Sequence, residues 1–116
     1  MLRGMLYETV QVDATGATVR LLPESPVYRG HFPGYPITPG VCLVEMAVEL
    51  IDEMADQAGH DGKVRLVGAR NIKFTSPIMS EAETLLRFKL DGEGENRSVE
   101  VYEGDTLCAK MSLTLA

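Results

Sequence analysis

The chain has 116 residues, of which 45% are hydrophobic and 24% are charged, and its formal net charge is −6 at pH 7. These proportions are typical of an ordinary globular protein, and we predict a single domain over residues 1–116. The negative charge argues against a general nucleic-acid binder, which needs a basic surface to displace counterions from phosphates.

The sequence contains no apolar segment that predicts membrane insertion. Its longest apolar window, residues 41–51, is too short to cross a bilayer and contains Glu45 and Glu49. The first residues are unlike a signal peptide, because an acid occurs before any apolar core develops. We therefore expect a cytoplasmic protein. Cys42 and Cys108 are far apart and form neither a disulfide framework nor a zinc-binding pattern.

Strand patterns lie on both sides of one helical pattern. Residues 6–23 alternate around a turn at DATG, which predicts two short strands. Residues 24–39 contain several prolines, and each disfavours helix in the residue before it, so we expect a short strand and a rigid loop there. Four more strands, separated in part by hairpin turns at DGEGEN and EGD, are predicted over VRLVGARNIKF, ETLLRFKL, RSVEVYEG and TLCAKMSLTLA.

The helix is predicted to run from about residue 39 to residue 57 and to end near Gly59. Thr38 is the expected N-cap and Pro39 the expected first residue, because the N–H that proline lacks would be unpaired there anyway. The first two turns are apolar on nearly all sides, so we expect them to be buried. The order of elements predicts an α+β fold in which one antiparallel sheet wraps around one long helix.

The acids of this helix fall on one stripe at 100° per residue. They are Glu45, Glu49, Asp52, Glu53 and Asp56. Such a stripe is typical of a solvated face, of which Glu45 is then the first member. The alternative is that Glu45 is partly desolvated among its apolar neighbours. Desolvation raises the pKa of a carboxyl, which suits a proton donor near neutral pH.

A single histidine, His31, lies in the proline-rich loop ahead of the helix. A lone histidine is more often a packed or surface residue than a functional one. The N-terminus of a helix, however, offers free N–H groups and partial positive charge to a developing anion. A histidine, an acid and such a terminus together are typical of a proton-transfer site.

Residues 31–45, HFPGYPITPGVCLVE, resemble the signature of the hot-dog fold (3R)-hydroxyacyl-acyl-carrier-protein dehydratases of the FabZ/FabA group. That signature reads H-F-P-G-x-P-x-x-P-G-V, with a catalytic Glu or Asp fourteen residues after the His, which is the interval between His31 and Glu45. The later stretch NIKFTSPIMSEAETL resembles the family's R-F-x-x-P-V-x-P-G-D-x-L segment at Phe74 and Pro77, although SEAE is one residue longer.

The resemblance implies a dehydratase that converts (3R)-3-hydroxyacyl thioesters on acyl carrier protein to trans-2-enoyl thioesters, in fatty-acid or related lipid or polyene biosynthesis. His31 is then the base that removes the α-proton, and Glu45 is the acid that assists departure of the 3-hydroxyl. The amide of Gly40 or Val41 is the implied oxyanion hole. No metal or organic cofactor is required. The residues expected to line the substrate tunnel are Phe32, Tyr35, Pro39 and Phe74.

The resemblance also implies partners. The family pairs two protomers so that each site takes His31 from one subunit and Glu45 from the other. We therefore expect a homodimer, a higher assembly of dimers, or a heterodimer with a similar chain. Carrier proteins are acidic, so a local basic patch is expected to bind them. The candidate residues are Arg29, Lys63, Arg65, Arg70 and Lys73.

Two alternative functions of the chain remain open. The chain could be a related hot-dog isomerase or thioesterase, or a silent partner subunit that binds acyl carrier protein; the intact pair of His31 and Glu45 disfavours the silent subunit.

Glu49 stands where the family usually has Gln, and Thr38 replaces a commonly large apolar residue. We expect Glu49 to be the first of the solvated acids and not catalytic, so that Glu49→Gln keeps activity.

Overall fold

The computed structural model describes residues 1–30, 34, 36–59 and 64–116. Within these ranges six strands and two helices follow one another along the chain. They are β1 (Tyr7–Asp13), β2 (Gly16–Leu21), α1 (Val27–Gly30), α2 (Gly40–Gln57), β3 (Leu66–Phe74), β4 (Leu85–Asp91), β5 (Asn96–Glu103) and β6 (Thr106–Leu115). The turns predicted at DATG, DGEGEN and EGD are confirmed, because the strands on either side of each turn pair antiparallel.

The strands form one sheet in the order β1-β2-β4-β5-β6-β3, in which all neighbours are antiparallel. The strand that follows α2, β3, pairs with the last strand of the chain and lies at one edge of the sheet. The other edge is β1. The inner strands alternate between buried and more exposed residues, which is the pattern of a sheet with one face on the core.

The long helix α2 packs into the hydrophobic cluster on the inner face of the sheet. Its buried residues are Leu43, Met46, Ala47, Val48, Glu49, Leu50 and Ile51. Fully buried side chains of the sheet include Val19, Leu86, Phe88, Val99 and Val101. Burial of each large apolar side chain stabilises the fold by about 2 kcal/mol, so this contact holds helix and sheet together. The predicted arrangement of a sheet around one long helix is confirmed.

The segment ahead of α2 differs from the prediction of a strand. Residues 27–30 form the one-turn helix α1, in which Tyr28 N donates to Ser25 O and Arg29 N donates to Pro26 O, each at 3.1 Å. Proline disfavours helix in the residue before it but is well accommodated at a helix start. Pro26 directly precedes α1, and the prediction considered only the effect of each proline on the residue before it.

The ends of α2 are close to the predicted ones, but its cap is different. Pro39 occupies the N-cap position and α2 begins at Gly40, with no side-chain capping bond. Thr38 is not the N-cap, because its buried hydroxyl is hydrogen-bonded to Tyr28 Oη at 2.9 Å. The helix ends at Gln57, and Gly59 has φ +83°, as is common for a glycine after a helix. No helix in the described ranges is long and apolar enough to span a membrane.

Candidate active site

The start of α2 is fixed by backbone hydrogen bonds to a distant segment of the chain. Thr38 N donates to Ile78 O, and Ser80 N donates to Pro36 O, each at 2.8 Å. These two bonds hold the residues directly before α2 against residues 78–80. The position of the first helical turn is therefore set by the fold and not only by the local sequence.

The ring of Phe74 lies directly over Gly40. A side-chain carbon added to Gly40 would be 2.4 Å from Phe74 Cζ, so the ring packs this closely because Gly40 has no side chain, and a larger residue would displace the ring. A cavity of about 350 Å³ lies beside the ring, and its lining includes Ile37, Thr38, Gly40, Leu43, Phe74 and Pro77. The structure thus brings Phe74, one of the predicted tunnel residues, to the helix start, where Pro39 is the N-cap.

Three of the predicted site residues, His31, Phe32 and Tyr35, lie outside the described residues, as do His60 and Lys63. Their predicted roles stay predictions.

The first amides of α2 are available as donors. Cys42 N and Leu43 N both donate to Pro39 O, at 3.0 and 3.3 Å. The amides of Gly40 and Val41 come before them, where an α-helix provides no intrahelical acceptor. Such N–H groups stabilise negative charge that develops on a nearby oxygen. Every α-helix start offers such amides, so the oxyanion-hole role of Gly40 or Val41 stays a prediction.

One face of α2 is open, contrary to the expectation that its first turns are buried. Val41 is 75% exposed, and Glu45, one turn further along the same face, is also exposed. The other sides of these turns carry buried residues such as Leu43 and Met46. Val41, a candidate source of the oxyanion amide, and Glu45, the candidate acid, thus lie one turn apart on one accessible helix face.

The carboxyl of Glu45 is perturbed even though the residue is exposed. Partial withdrawal from water raises the pKa of Glu45, the negative charge of Glu49 and a hydrogen bond with the Glu49 carboxyl raise it further, and the amino group of Met1 lowers it. A carboxyl with a raised pKa keeps its proton at higher pH, as a general acid must. This favours the interpretation of Glu45 as a partly desolvated acid.

Glu49 is buried, so the expectation that it is the first solvated acid is wrong. It is only 7% exposed. Residues 2–6, here called the N-terminal strap, cover it together with the first residue of β1. Leu2 N donates to Oε2 at 2.8 Å, Arg3 N donates to Oε1 at 2.9 Å, and Tyr7 Oη donates to Oε1 at 3.0 Å. The helical periodicity could not reveal these donors, which lie more than 40 residues away in the sequence.

The next acids of the stripe are also occupied by hydrogen bonds. The Glu53 carboxylate accepts from the Arg3 guanidinium and from Thr9 Oγ1, and Asp52 Oδ1 accepts from Val64 N at 2.9 Å. The stripe therefore serves mainly to attach other segments to the helix and is not a uniformly solvated face.

The two cysteines offer no nucleophilic site. Cys42 is half-buried and Cys108 is buried, and both are free thiols. Burial raises the pKa of each thiol, which keeps it in the unreactive protonated form. In the part of the chain that the structure describes, no group of three or more His, Cys, Asp or Glu side chains could hold a metal ion.

A buried pair of hydroxyls, those of Tyr28 and Thr38, supports the helix start from behind. Each residue is 5% exposed, and their hydroxyl oxygens are 2.9 Å apart. Thr38 therefore faces a buried polar partner, which explains why a small hydroxyl residue stands at a position where the resembling family commonly has a large apolar one.

Removal of both hydroxyls of this pair is expected to cost less than the sum of the two single removals. Thr38→Val should lower the free energy of unfolding by about 1–3 kcal/mol, because the Tyr28 hydroxyl stays buried and loses this partner. The double variant Tyr28→Phe/Thr38→Val should lose less than the sum of the two single losses. Urea denaturation measures all three, with Tyr102→Phe as a control on the far strand β5. Strictly additive losses contradict the pairing.

The six-stranded antiparallel sheet wrapped around α2, with its acid near the helix start, is a hot-dog fold of the dehydratase type. The family model described as ApeI-like, ApeI dehydratase, matches residues 8–112. The chain belongs to the ApeI-like dehydratase family.

Curated relatives and a solved structure agree with this membership. The 3-hydroxyacyl-acyl-carrier-protein dehydratase FabZ of Campylobacter concisus is 35% identical over an alignment of 101 residues, which covers 76% of this chain and 67% of that protein. The FabZ of Rhizorhabdus wittichii is 32% identical over an alignment of 96 residues, which covers 75% of this chain and 60% of that protein. The chain thus spans about three-fifths to two-thirds of the length of these relatives. A chain of the dehydratase heterocomplex ApeI:P from Xenorhabdus doucetiae has the same fold, with a TM-score of 0.67 over 97% of this chain and 99% of that chain at 19% identity.

Proposed function

We propose that the protein is a hydro-lyase that removes water from (3R)-3-hydroxyacyl thioesters on acyl carrier protein, in fatty-acid or polyene biosynthesis in the cytoplasm. The observation that carries the proposal is the placement of Glu45. This acid is accessible, has a raised pKa, and lies on the helix that starts with the family signature, at the family's interval from His31. The dehydratase names of the similar FabZ proteins support the same reaction.

The reaction divides between three groups of the site. His31 takes the proton from the α-carbon, and the electron pair left behind moves toward the thioester oxygen. The amide of Gly40 or Val41 stabilises the negative charge on that oxygen. As the double bond forms, the C–O bond at carbon 3 breaks, and the leaving hydroxyl takes the proton of Glu45 and departs as water. Proton exchange with solvent then restores both residues.

The open face of α2 and the edge strand β3 form an apolar surface that fits a second hot-dog chain. Its exposed apolar residues are Val41, Leu66, Val67, Ile72 and Phe74, with exposed fractions from 37% to 75%. An edge strand with unpaired backbone groups and apolar side chains is unfavourable in water. A partner subunit placed here would cover this surface and lie next to Glu45. We propose a homodimer, alone or within a larger assembly; the alternative is a heterodimer with a similar chain.

A mixture of two inactive variants tests the shared site. If each site takes His31 from one subunit and Glu45 from the other, then subunits of His31→Ala and Glu45→Gln form mixed dimers with one intact site. Random exchange should restore about a quarter of the wild-type activity, since half of the dimers are mixed and each has one working site. The measurement is turnover after co-refolding, with light scattering to confirm dimers. Mixtures that stay as inactive as the separate variants contradict a shared site.

The carrier protein is proposed to bind beside the same edge. Arg65, Arg70 and Lys73 are exposed in or directly before β3, and Arg29 is exposed at the end of α1. The three cations at β3 give a chain of net charge −6 a local surface that can attract an acidic carrier.

The proposed reaction is tested with purified protein and 3-hydroxyacyl carriers of several chain lengths. Mass spectrometry of the carrier should show the loss of one water molecule, and absorbance should show the conjugated enoyl thioester. Hydrolysis of the thioester, or migration of a double bond without water loss, would instead identify the thioesterase or the isomerase. A failure to change any of the substrates would contradict the proposal.

A further inference from the structure

Glu49 is a buried carboxylate that lies one helical turn from the candidate acid. Its two oxygens accept hydrogen bonds from Leu2 N, Arg3 N and Tyr7 Oη. All three partners are donors, so the arrangement suits an acceptor with a full negative charge. The Tyr7 side chain is fully buried, and burial, followed by the charge and the hydrogen bond of Glu49, raises the pKa of Tyr7 far above its ordinary value. The raised pKa favours the protonated phenol, the form in which Tyr7 donates to Glu49.

The anchored carboxylate belongs to the residue one helical turn beyond Glu45. Residues at i and i+4 are neighbours on a helix surface. Partial desolvation, followed by the charge of Glu49 and hydrogen bonding to its carboxyl, raises the pKa of Glu45. The other charged groups around the pair are the Arg3 guanidinium and the Met1 amino group at the N-terminal end of the chain, and Glu53 one turn beyond Glu49. Glu45 is the accessible member of the pair and Glu49 the anchored one.

We propose that Glu49 is a positioning residue for the acid: its carboxylate, anchored by the strap amides and by Tyr7, accepts a hydrogen bond from the protonated Glu45 carboxyl and keeps that proton available for the leaving hydroxyl. The inference deepens the proposed function and rests on the role given there to Glu45. Glu49 itself neither gains nor loses a proton in the reaction; the proton that reaches the hydroxyl is the one on Glu45.

The glutamine usual in the resembling family would not do the same in this chain. A glutamine at position 49 keeps one carbonyl oxygen, which can still accept from Arg3 N and Tyr7 Oη. Its NH₂ group would then face the N–H of Leu2, and the negative charge would be gone. Two carboxyl groups in contact share one proton far more readily than a carboxyl and an amide do, because both cannot be charged at low cost.

The direction of the pH effect follows from the active form of Glu45. The acid works only while protonated, so activity is lost as pH rises through its pKa. The charge of Glu49 raises that pKa. Removing the charge in Glu49→Gln should lower it, and the alkaline decline of kcat should move to lower pH. The loss of kcat should be severalfold at the alkaline end of the profile and small at the acidic end, with KM little changed.

The sharpest test needs no substrate. In protein labelled with ¹³C at the glutamate carboxyls, the Glu45 signal is followed by NMR from pH 3 to pH 9, a range chosen to span ordinary carboxyl titration. In the wild type, Glu45 should titrate above the ordinary carboxyl range. Glu49→Gln should shift the Glu45 titration downward. Glu53→Gln is the matched control, because it removes a charge that also contacts the strap but lies two turns from Glu45.

Two outcomes would overturn the inference. One is a Glu45 that titrates at an ordinary carboxyl value in the wild type, a result that does not depend on how any variant folds. The other is an equal shift in Glu49→Gln and Glu53→Gln, which would show a general effect of helix charge. Because the titration is read without substrate, the proposed dehydration can fail in the activity assay while this inference is still confirmed or refuted.

Discussion

His31→Ala is expected to lower kcat by about 10²–10⁴-fold, the contribution typical of a general base, while the fold is retained. The α-proton of a 3-hydroxyacyl thioester is weakly acidic, and within the site no other residue is assigned to take it. The measurement is steady-state turnover of the best carrier substrate, together with circular dichroism and the melting temperature.

The second histidine of the chain supplies the control for this experiment. His60→Ala removes the same side chain at a position outside the resembling signature, and it should leave kcat unchanged. Binding of acyl carrier protein should persist in both variants. A folded His31→Ala protein with near-normal turnover contradicts the assignment of the base, and with it the proposed mechanism.

The elements of the fold could be predicted because their signals are local. Alternation with period two and turns such as DATG define the strands of the sheet, and Gly59 marks the end of α2. The one-turn helix α1 was missed because four residues are too few for a periodic pattern, and only Pro26 signals its start. The N-cap was predicted wrongly because of a tertiary contact. Thr38 is a good capping residue by type, but its hydroxyl is hydrogen-bonded to the Tyr28 hydroxyl instead of to the helix.

The environment of Glu49 could not be predicted from helix periodicity. The helical wheel places it on a stripe with other acids, and a stripe of acids usually faces water. Its actual partners are Leu2, Arg3 and Tyr7, which lie near the start of the sequence and far from Glu49 along the chain. A signal was nevertheless present, since an acid within the first three turns of an otherwise apolar helix requires hydrogen-bond donors if that part of the helix is buried.

The exposed face of α2 shows another limit of sequence patterns. An apolar residue such as Val41 has the same signature whether it is buried by its own chain or by a partner subunit. The prediction of burial considered only the sheet, whereas Val41 and Phe74 are exposed on the isolated chain. The resemblance to a family of dimers already implied a partner, and the exposed apolar surface beside Glu45 is the structural feature that supports one.

Glu45→Gln is expected to remove most turnover, with a loss of kcat of about 10²–10⁴-fold and a much smaller change in KM. The amide has nearly the same shape as the carboxyl, so substrate binding should persist, but an amide has no acidic proton for the leaving hydroxyl. Glu45→Asp should retain part of the activity, because the resembling family accepts either acid at this position.

The comparison with Glu49→Gln separates the acid from the residue that positions it. Both substitutions replace a carboxyl group of α2 by an amide, yet Glu45 is accessible and Glu49 is enclosed by the strap. Glu45→Gln should reduce kcat at every pH, whereas Glu49→Gln should mainly move the alkaline decline. If the two variants lose turnover equally across the pH range, then both carboxyls act as one catalytic unit and the assignment of a single acid is wrong.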